Sequence, residues 1–316
     1  MRQMRNRFQK LKIGLIGDGV HSKRIQKILK SLKLKFIIYK PQKNKIKKKY
    51  AHLKDLEKCN TIFIISPNDS HFFYINKFKN KSYVFCEKPP TNIKKEILKL
   101  QKVKYENIYF NYNFRYSKLG TIIQEVKKYN LGDLLYGNIV TSHNLAQKKI
   151  YKYSWRSRRK NSPKGVFEIV TIHWVDFVNY YFKIKKILNI NLRNSSKVGS
   201  SFDNSNTTIL LKNRAQIDIF SSYDAPFCYK SLFVFRNGII ENDDKSIKIF
   251  GPANNFDKNG FSIKPKIIRS YIIDENKDYI NSIKLNVIKF LKIASSKKKF
   301  SEFDFKTSLS SNKLLF

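Results

Sequence analysis

The sequence predicts an α/β fold whose first part is a doubly wound parallel sheet. Two observations carry this: apolar runs of strand length alternate with amphipathic helical stretches, and a glycine-rich turn joins the first run to the first helix. Lys12-Ile13-Gly14-Leu15-Ile16 is the first run, and it ends in Gly17-Asp18-Gly19-Val20-His21-Ser22. Behind it Ile25, Ile28, Leu29 and Leu32 fall at i, i+3, i+4 and i+7, one apolar stripe on a helix. Phe36-Ile37-Ile38-Tyr39 is the second run. A buried-type strand over 61–66 stops at Pro67-Asn68, and Phe72, Phe73, Ile75 and Phe78 mark the next helix. Tyr83-Val84-Phe85-Cys86 is another strand; Ile93, Ile97, Leu98 and Leu100 mark another helix, and 108–112 a further strand. Later, 135–141, 207–211, 216–221 and 232–236 read as strands and 283–293 as a helix.

In open parallel sheets ligands bind beyond the C-terminal strand ends, and three polar clusters stand there: residues 17–22, residues 67–71, and Glu87-Lys88-Pro89. Strand, glycine turn, helix and strand within about 30 residues is the context that a dinucleotide-binding motif requires. Gly17 permits the tight turn, and Gly19 lets the backbone approach a diphosphate at the helix N-terminus. Ser22 replaces the usual third glycine and is still small enough for close helix–strand contact. The expected coenzyme-binding residues are Gly17, Asp18, Gly19, Val20, His21, Lys40, Ser66, Pro67, Asn68, His71, Glu87 and Lys88. An NAD site usually carries an acid near the end of the second strand, but residues 35–49 contain none. Lys40 stands in that place with Lys43 and Lys45 behind it, so NADP(H) is expected in preference to NAD(H).

At 316 residues and 41% hydrophobic side chains, the chain is long enough for two domains. Its longest apolar runs are too short to span a bilayer, and no apolar segment with a cleavage site follows the N-terminus. Cys59, Cys86 and Cys228 are widely separated, which argues against a metal site or disulfide framework and for a cytoplasmic protein. Lys+Arg number 64 against 23 Asp+Glu, a net charge of +41 that favours anionic ligands. The lysines are scattered along the chain, and Asn and Ile are also abundant, as in an A/T-rich coding sequence. A small-molecule partner is therefore expected rather than nucleic acid or membrane.

Gly17-x-Gly19, Pro67-Asn68-x-x-His71, Glu87-Lys88-Pro89 and Asn113-x-Arg115, in that order, resemble the Gfo/Idh/MocA oxidoreductases, relatives of glucose–fructose oxidoreductase and inositol 2-dehydrogenase. Trp155-Arg156 and Gly165…His173-x-x-Asp176 continue the resemblance, which spans roughly residues 10–182. It implies a Rossmann domain (1–117, with a boundary near 116–118) followed by an α/β domain (118–316) on a large, mostly antiparallel open sheet that serves a homo-oligomer interface. It also implies hydride transfer to or from a secondary alcohol or ketone of a sugar, cyclitol or nucleotide sugar.

Such chemistry needs a group to exchange the hydroxyl proton and a cation to stabilise developing alkoxide charge. The resemblance assigns the cation to Lys88 and the proton exchange to His173, whose neutral-range pKa suits the task. Family members carry an Asp four residues before this histidine; here Ile169 stands there, with Thr171 in place of a small residue. Glu168, five residues away at about 100° each, is expected off the histidine's face, leaving Asp176 or a remote group to orient it. The alternative is a cofactor-binding scaffold with weakened catalysis. Asn113, Arg115, Trp155 and Arg156 are the expected substrate-binding residues, the last two in a basic segment with Arg158, Arg159 and Lys160 suited to a phosphate-bearing sugar.

Overall fold

The computed structural model describes residues 7–41, 50–252 and 256–316. Its chain divides into two compact units, Met1–Asn113 with Ile280–Phe316, and Phe114–Tyr279. In the first unit β1 (Ile13–Ile16), β2 (Phe36–Tyr39), β3 (Thr61–Ile64), β4 (Tyr83–Glu87) and β5 (Ile108–Asn111) make one parallel sheet, ordered β2-β1-β3-β4-β5. β1, β3 and β5 are buried at every position, as parallel strands covered on both faces must be. Helices α1 (Val20–Ser31), α2 (His71–Phe78) and α3 (Lys94–Leu100) fill the crossovers, and α1 buries Ser22, Ile25, Ile28 and Leu29.

Phe63, Phe85 and Tyr109 stand in register on neighbouring strands, a row of aromatic surface that needs apolar cover. The C-terminal segment supplies it. Phe290 lies 5.1 Å from Phe63 and 5.3 Å from Phe85, and Phe300 stacks on Phe290 at 5.5 Å. Phe305 then stacks on Phe110 at 5.6 Å. Residues 280–316, placed with the second domain from sequence, thus belong to the first unit, and the division falls at 113/114 rather than near 116–118.

The second unit holds α4 (Lys118–Gln124), β6 (Leu134–Ser142), α5 (Ile172–Phe182), β7 (Ile184–Arg193), β8 (Asn204–Leu211), β9 (Gln216–Ser222), β10 (Cys228–Phe235), β11 (Gly238–Asn242), β12 (Ser246–Phe250) and β13 (Ile267–Ile272). The eight strands are ordered β13-β12-β11-β10-β6-β9-β8-β7, and only the β6–β9 pair is parallel. The mostly antiparallel open sheet is present, and the four strands read from sequence overlap β6, β8, β9 and β10, with 207–211 and 232–236 covering only the later parts of β8 and β10. Helices α6 (Glu275–Ser295) and α7 (Glu302–Lys313) complete the chain, and the late helix expected over 283–293 lies inside α6.

One face of this sheet carries Ile209, Ile217, Phe233 and Ile240, all fully buried. On the same face, at the end where β6 and β9 finish, the side chains turn to hydroxyls: Thr141, Ser205 and Ser221 sit opposite one another in register. α5 covers this face, with Phe177 6.3 Å from Phe233 and Trp174 5.5 Å from Tyr229. The Trp174 indole N–H donates to Thr141 Oγ1 at 2.8 Å, so the hydroxyl end fixes the helix's orientation. Val140, Phe220, Leu232 and Val234 on the opposite face are only half-buried. Among the described residues no helix is long and apolar enough to cross a membrane.

Candidate functional site

The turn after β1 is built by two glycines with different work. Gly17 has φ +107°, and a Cβ there would come within 2.4 Å of the Ile65 carbonyl oxygen, so only glycine fits. Gly19 has extended backbone and caps α1 without a side-chain bond, and a Cβ on it would meet nothing within 4 Å. That open space lies over the first turn of a 12-residue helix with no acid in it, where free N–H groups and the helix dipole suit a diphosphate. Ser22 is buried and its hydroxyl donates to the Gly17 carbonyl at 2.8 Å, so the departure from glycine adds a bond to the turn. Val20 is 73% exposed at the helix start.

The side chain of Asp18 is engaged within the protein: Tyr50 and Gln26 donate to it at 2.8 and 2.9 Å. The exposed Lys40 follows β2, its ammonium 5.7 Å above the Tyr50 ring. Lys40, Tyr50 and Asp18 therefore connect the end of β2 to the glycine turn. Lys43 and Lys45 lie outside the described residues.

At the end of β4, Glu87 is buried and accepts from the Asn111 amide and from His21 Nε2, the latter at 2.7 Å. Burial works to raise its carboxyl, yet His21, Asn111 and Lys88 together hold it below the ordinary value. Asn286 donates onward to Asn111 and accepts from the Tyr109 hydroxyl, extending the network into α6. Parallel register sets Asn111 opposite Glu87, a pairing readable only once β4 and β5 are aligned. Asn286 has no local signature.

His71, expected to touch the coenzyme, is fully buried with its ring nitrogens 2.8 and 2.9 Å from the carbonyl oxygens of Pro89 and Ser66. Desolvation holds its imidazole below the ordinary value. A neutral ring has one N–H to donate to these two carbonyls, and the ring lies between the loop after β3 and the loop after β4, next to the cis bond from Lys88 to Pro89. Ser66 and Ser70 hydroxyls bond at 2.6 Å, and the exposed Pro67 and buried Asn68 complete that loop.

In the second unit Asp176 and Arg115 form one buried pair. Arg115 Nε and Nη2 donate to the two Asp176 oxygens at 2.7 and 2.5 Å, with side chains 4% and 1% exposed. The guanidinium also lies 4.5 Å from the Tyr180 ring centre. Asp176, expected at the catalytic position, and Arg115, expected against substrate, thus pair with each other, which ties residue 115 to α5. Asn113, also expected against substrate, is buried and donates to Ser282 at 2.8 Å.

His173 is buried on α5, its ring stacked on Phe114 at 4.5 Å with an 18° tilt. Residues Phe167–Thr171 before it form a π-turn, with the Ile172 N–H bonded to the Phe167 carbonyl. Such wider turns recur at functional sites, and they break the 100° spacing that put Glu168 off the histidine's face. Glu168 is buried and accepts from the Ser162 hydroxyl. Ile169 packs with Val170 against a cluster of Ala146, Tyr151, Val166 and Tyr223, so the position where the resemblance leads one to expect an acid is apolar in its contacts as well. Trp155 and Arg156 form a short turn in which the guanidinium lies 4.6 Å from the indole centre. Among the described residues no group of three or more His, Cys, Asp or Glu is placed to hold a metal ion.

Solved structures resemble the chain over nearly its whole length. Levoglucosan dehydrogenase in complex with NADH and levoglucosan matches at a TM-score of 0.77 and 14% identity, covering 96% of this chain and 95% of that one. An Agrobacterium radiobacter oxidoreductase in complex with NAD+, L-tartaric acid and magnesium matches at 0.74 and 14%, covering 97% and 94%. GenD2 from gentamicin A biosynthesis, in complex with NAD, matches at 0.72 and 11%, covering 97% and 92%. No family model and no curated protein matches the sequence. The chain shares the fold of these solved oxidoreductases.

Proposed function

We propose that the chain is an NAD(P)-dependent oxidoreductase that moves a hydride to or from a secondary alcohol or ketone of a sugar, cyclitol or nucleotide sugar. The open space over Gly19 at the uncapped start of α1 carries this reading, because it fits a diphosphate and none of the described residues comes within 4 Å of a Cβ there. Gly17, Gly19 and the first turn of α1 would hold the diphosphate, with the loops after β3 and β4 beyond it. When bound, the coenzyme supplies or accepts the hydride. Lys88 supplies positive charge to the substrate oxygen, and His173 exchanges its proton. His71 positions Lys88 through Pro89, and the Arg115–Asp176 pair holds α5 and so His173.

NADP(H) is preferred in this reading, because Lys40 occupies the place of the ribose-binding acid and Asp18 is already engaged by Tyr50 and Gln26. The protein works in the cytoplasm, where free thiols persist, and copies associate through the half-buried sheet face that carries Val140, Phe220, Leu232 and Val234. A second reading, a coenzyme-binding scaffold with weakened turnover, is favoured by Ile169 and by the commitment of Asp176 to Arg115.

Single-turnover hydride transfer with candidate sugars separates the two. In the enzymatic reading His173→Ala and Lys88→Ala each lower the rate by about 10²–10⁴-fold while coenzyme affinity stays within a few-fold of the parent. Coenzyme binding with no transfer to any sugar supports the scaffold. Unchanged rates in both variants contradict the assigned roles.

A further inference from the structure

Arg156 differs from the many exposed cations of this chain. It is half-buried, lies on the Trp155 ring at 4.6 Å, and has no carboxylate within ion-pair distance among the described residues. Asp203, an acid close enough to act on neighbouring Tyr151, is already engaged by the Ser195 and Ser196 backbones, the Ser196 hydroxyl and Asn204. Glu168, the buried acid that also acts on Tyr223, is likewise engaged, by the Ser162 hydroxyl, which leaves Arg156 facing neutral hydrogen-bonding groups. Its charge acts on the Tyr223 hydroxyl, on Tyr151 and on His143.

These three are locked together: the His143 ring is 4.9 Å and the Tyr151 ring 5.8 Å from that of Tyr223. The Tyr151 hydroxyl is buried and without a hydrogen-bond partner among the described residues, a cost the protein carries unless a ligand relieves it. Desolvation dominates at each ring: it pushes Tyr151 up to about 12, raises Tyr223, and lowers His143, so both phenols remain donors at neutral pH. Tyr151 and Tyr223 share their cluster with Ile169 and Val170, four and three residues before His173.

A guanidinium without a carboxylate, beside phenols that can donate, is chemistry that recognises an anion. We propose that Arg156, with Tyr223 and Tyr151, forms a subsite for an anionic group on the substrate, making the substrate an acidic sugar rather than a neutral one. This deepens the oxidoreductase reading: the segment that packs on the subsite leads directly into His173, so one end of the substrate is read by charge while the other undergoes proton exchange. Carboxylate and phosphate share the required chemistry.

The protein has two tryptophans, and Trp155 lies under the guanidinium, so its fluorescence reports binding without any turnover. Titrations with D-glucuronate, D-glucose 6-phosphate and D-glucose, with and without saturating reduced coenzyme, test the subsite. At least one charged sugar is expected to saturate at concentrations tenfold or more below D-glucose, and the tighter of the two identifies the anion. Arg156→Gln removes this advantage, Arg156→Lys keeps part of it, and Arg158→Gln, on the exposed neighbour, leaves it intact. Equal or absent binding of the three sugars overturns the proposal. So does an equal loss in Arg158→Gln, which would assign the effect to the general positive field. Failure of coenzyme to bind would instead overturn the oxidoreductase reading and leave the anion result standing.

Discussion

The Arg115–Asp176 pair illustrates how much of this site is settled by single contacts. Both groups are removed from water and held bidentately, an arrangement in which deleting one partner leaves an uncompensated charge in the interior. Asp176→Asn is expected to lower unfolding stability by about 3–5 kcal/mol in a denaturant titration, while a loss under about 1 kcal/mol would contradict the assigned role. Lys40 is the opposite kind of residue, exposed beside the Tyr50 ring, and its proposed role is to receive a ligand phosphate. Lys40→Asp should weaken NADPH at least tenfold more than NADH in parallel binding titrations; equal losses would argue against an NADP preference. Sequence reading placed Lys40 by its position after a strand, a local fact. It could not show that Asp176 pairs with Arg115, which lies 61 residues away, because no spacing rule along α5 can reveal a partner on another element.

Elements were legible where their side-chain period was clean. The α1 stripe and the buried runs of β1, β3 and β5 have one period and one environment, and the structure has them. β7, β11, β12 and β13 were missed: β7 and β13 are edge strands of the sheet and β11 and β12 are only five residues long, so polar and apolar positions mix. The π-turn before α5 was also invisible, because a helical-wheel reading assumes one residue spacing throughout. At the start of α6, Glu275 departs from what helix ends normally do for carboxylates. Acids there are usually stabilised by the dipole. Here desolvation first, then Asp278, Asp244 and Asp274, raises the Glu275 carboxyl to about 8. The folded state then holds a proton that the unfolded chain loses near 4.5, so its contribution is full below that pH and disappears as pH rises through 8. Glu275→Gln should therefore melt higher than the parent at pH 8.5 and equal it near pH 4. A parent that is the more stable at pH 8.5 would contradict this.

For the whole molecule, the sequence conveyed two α/β parts and the identity of the first, but not which part owns the C-terminus. That ownership follows from the aromatic row Phe63–Phe85–Tyr109, whose cover comes from residues far along the chain and is chosen by packing rather than by proximity in sequence. The net charge of +41 is a property of the same scale. It raises the encounter rate with any anion and cannot by itself distinguish a coenzyme from a nucleic acid. Discrimination has to come from a shaped site, and the proposed one lies over Gly19, where an added Cβ meets no atom of the described residues within 4 Å and so should not disturb the fold. The most direct test is a binding titration of NADH and NADPH on the parent protein and on Gly19→Val at physiological salt. Saturable coenzyme binding by the parent, lost in a variant that melts at the same temperature, is the predicted result. A parent that binds neither coenzyme, or a variant that binds as tightly, would contradict the account.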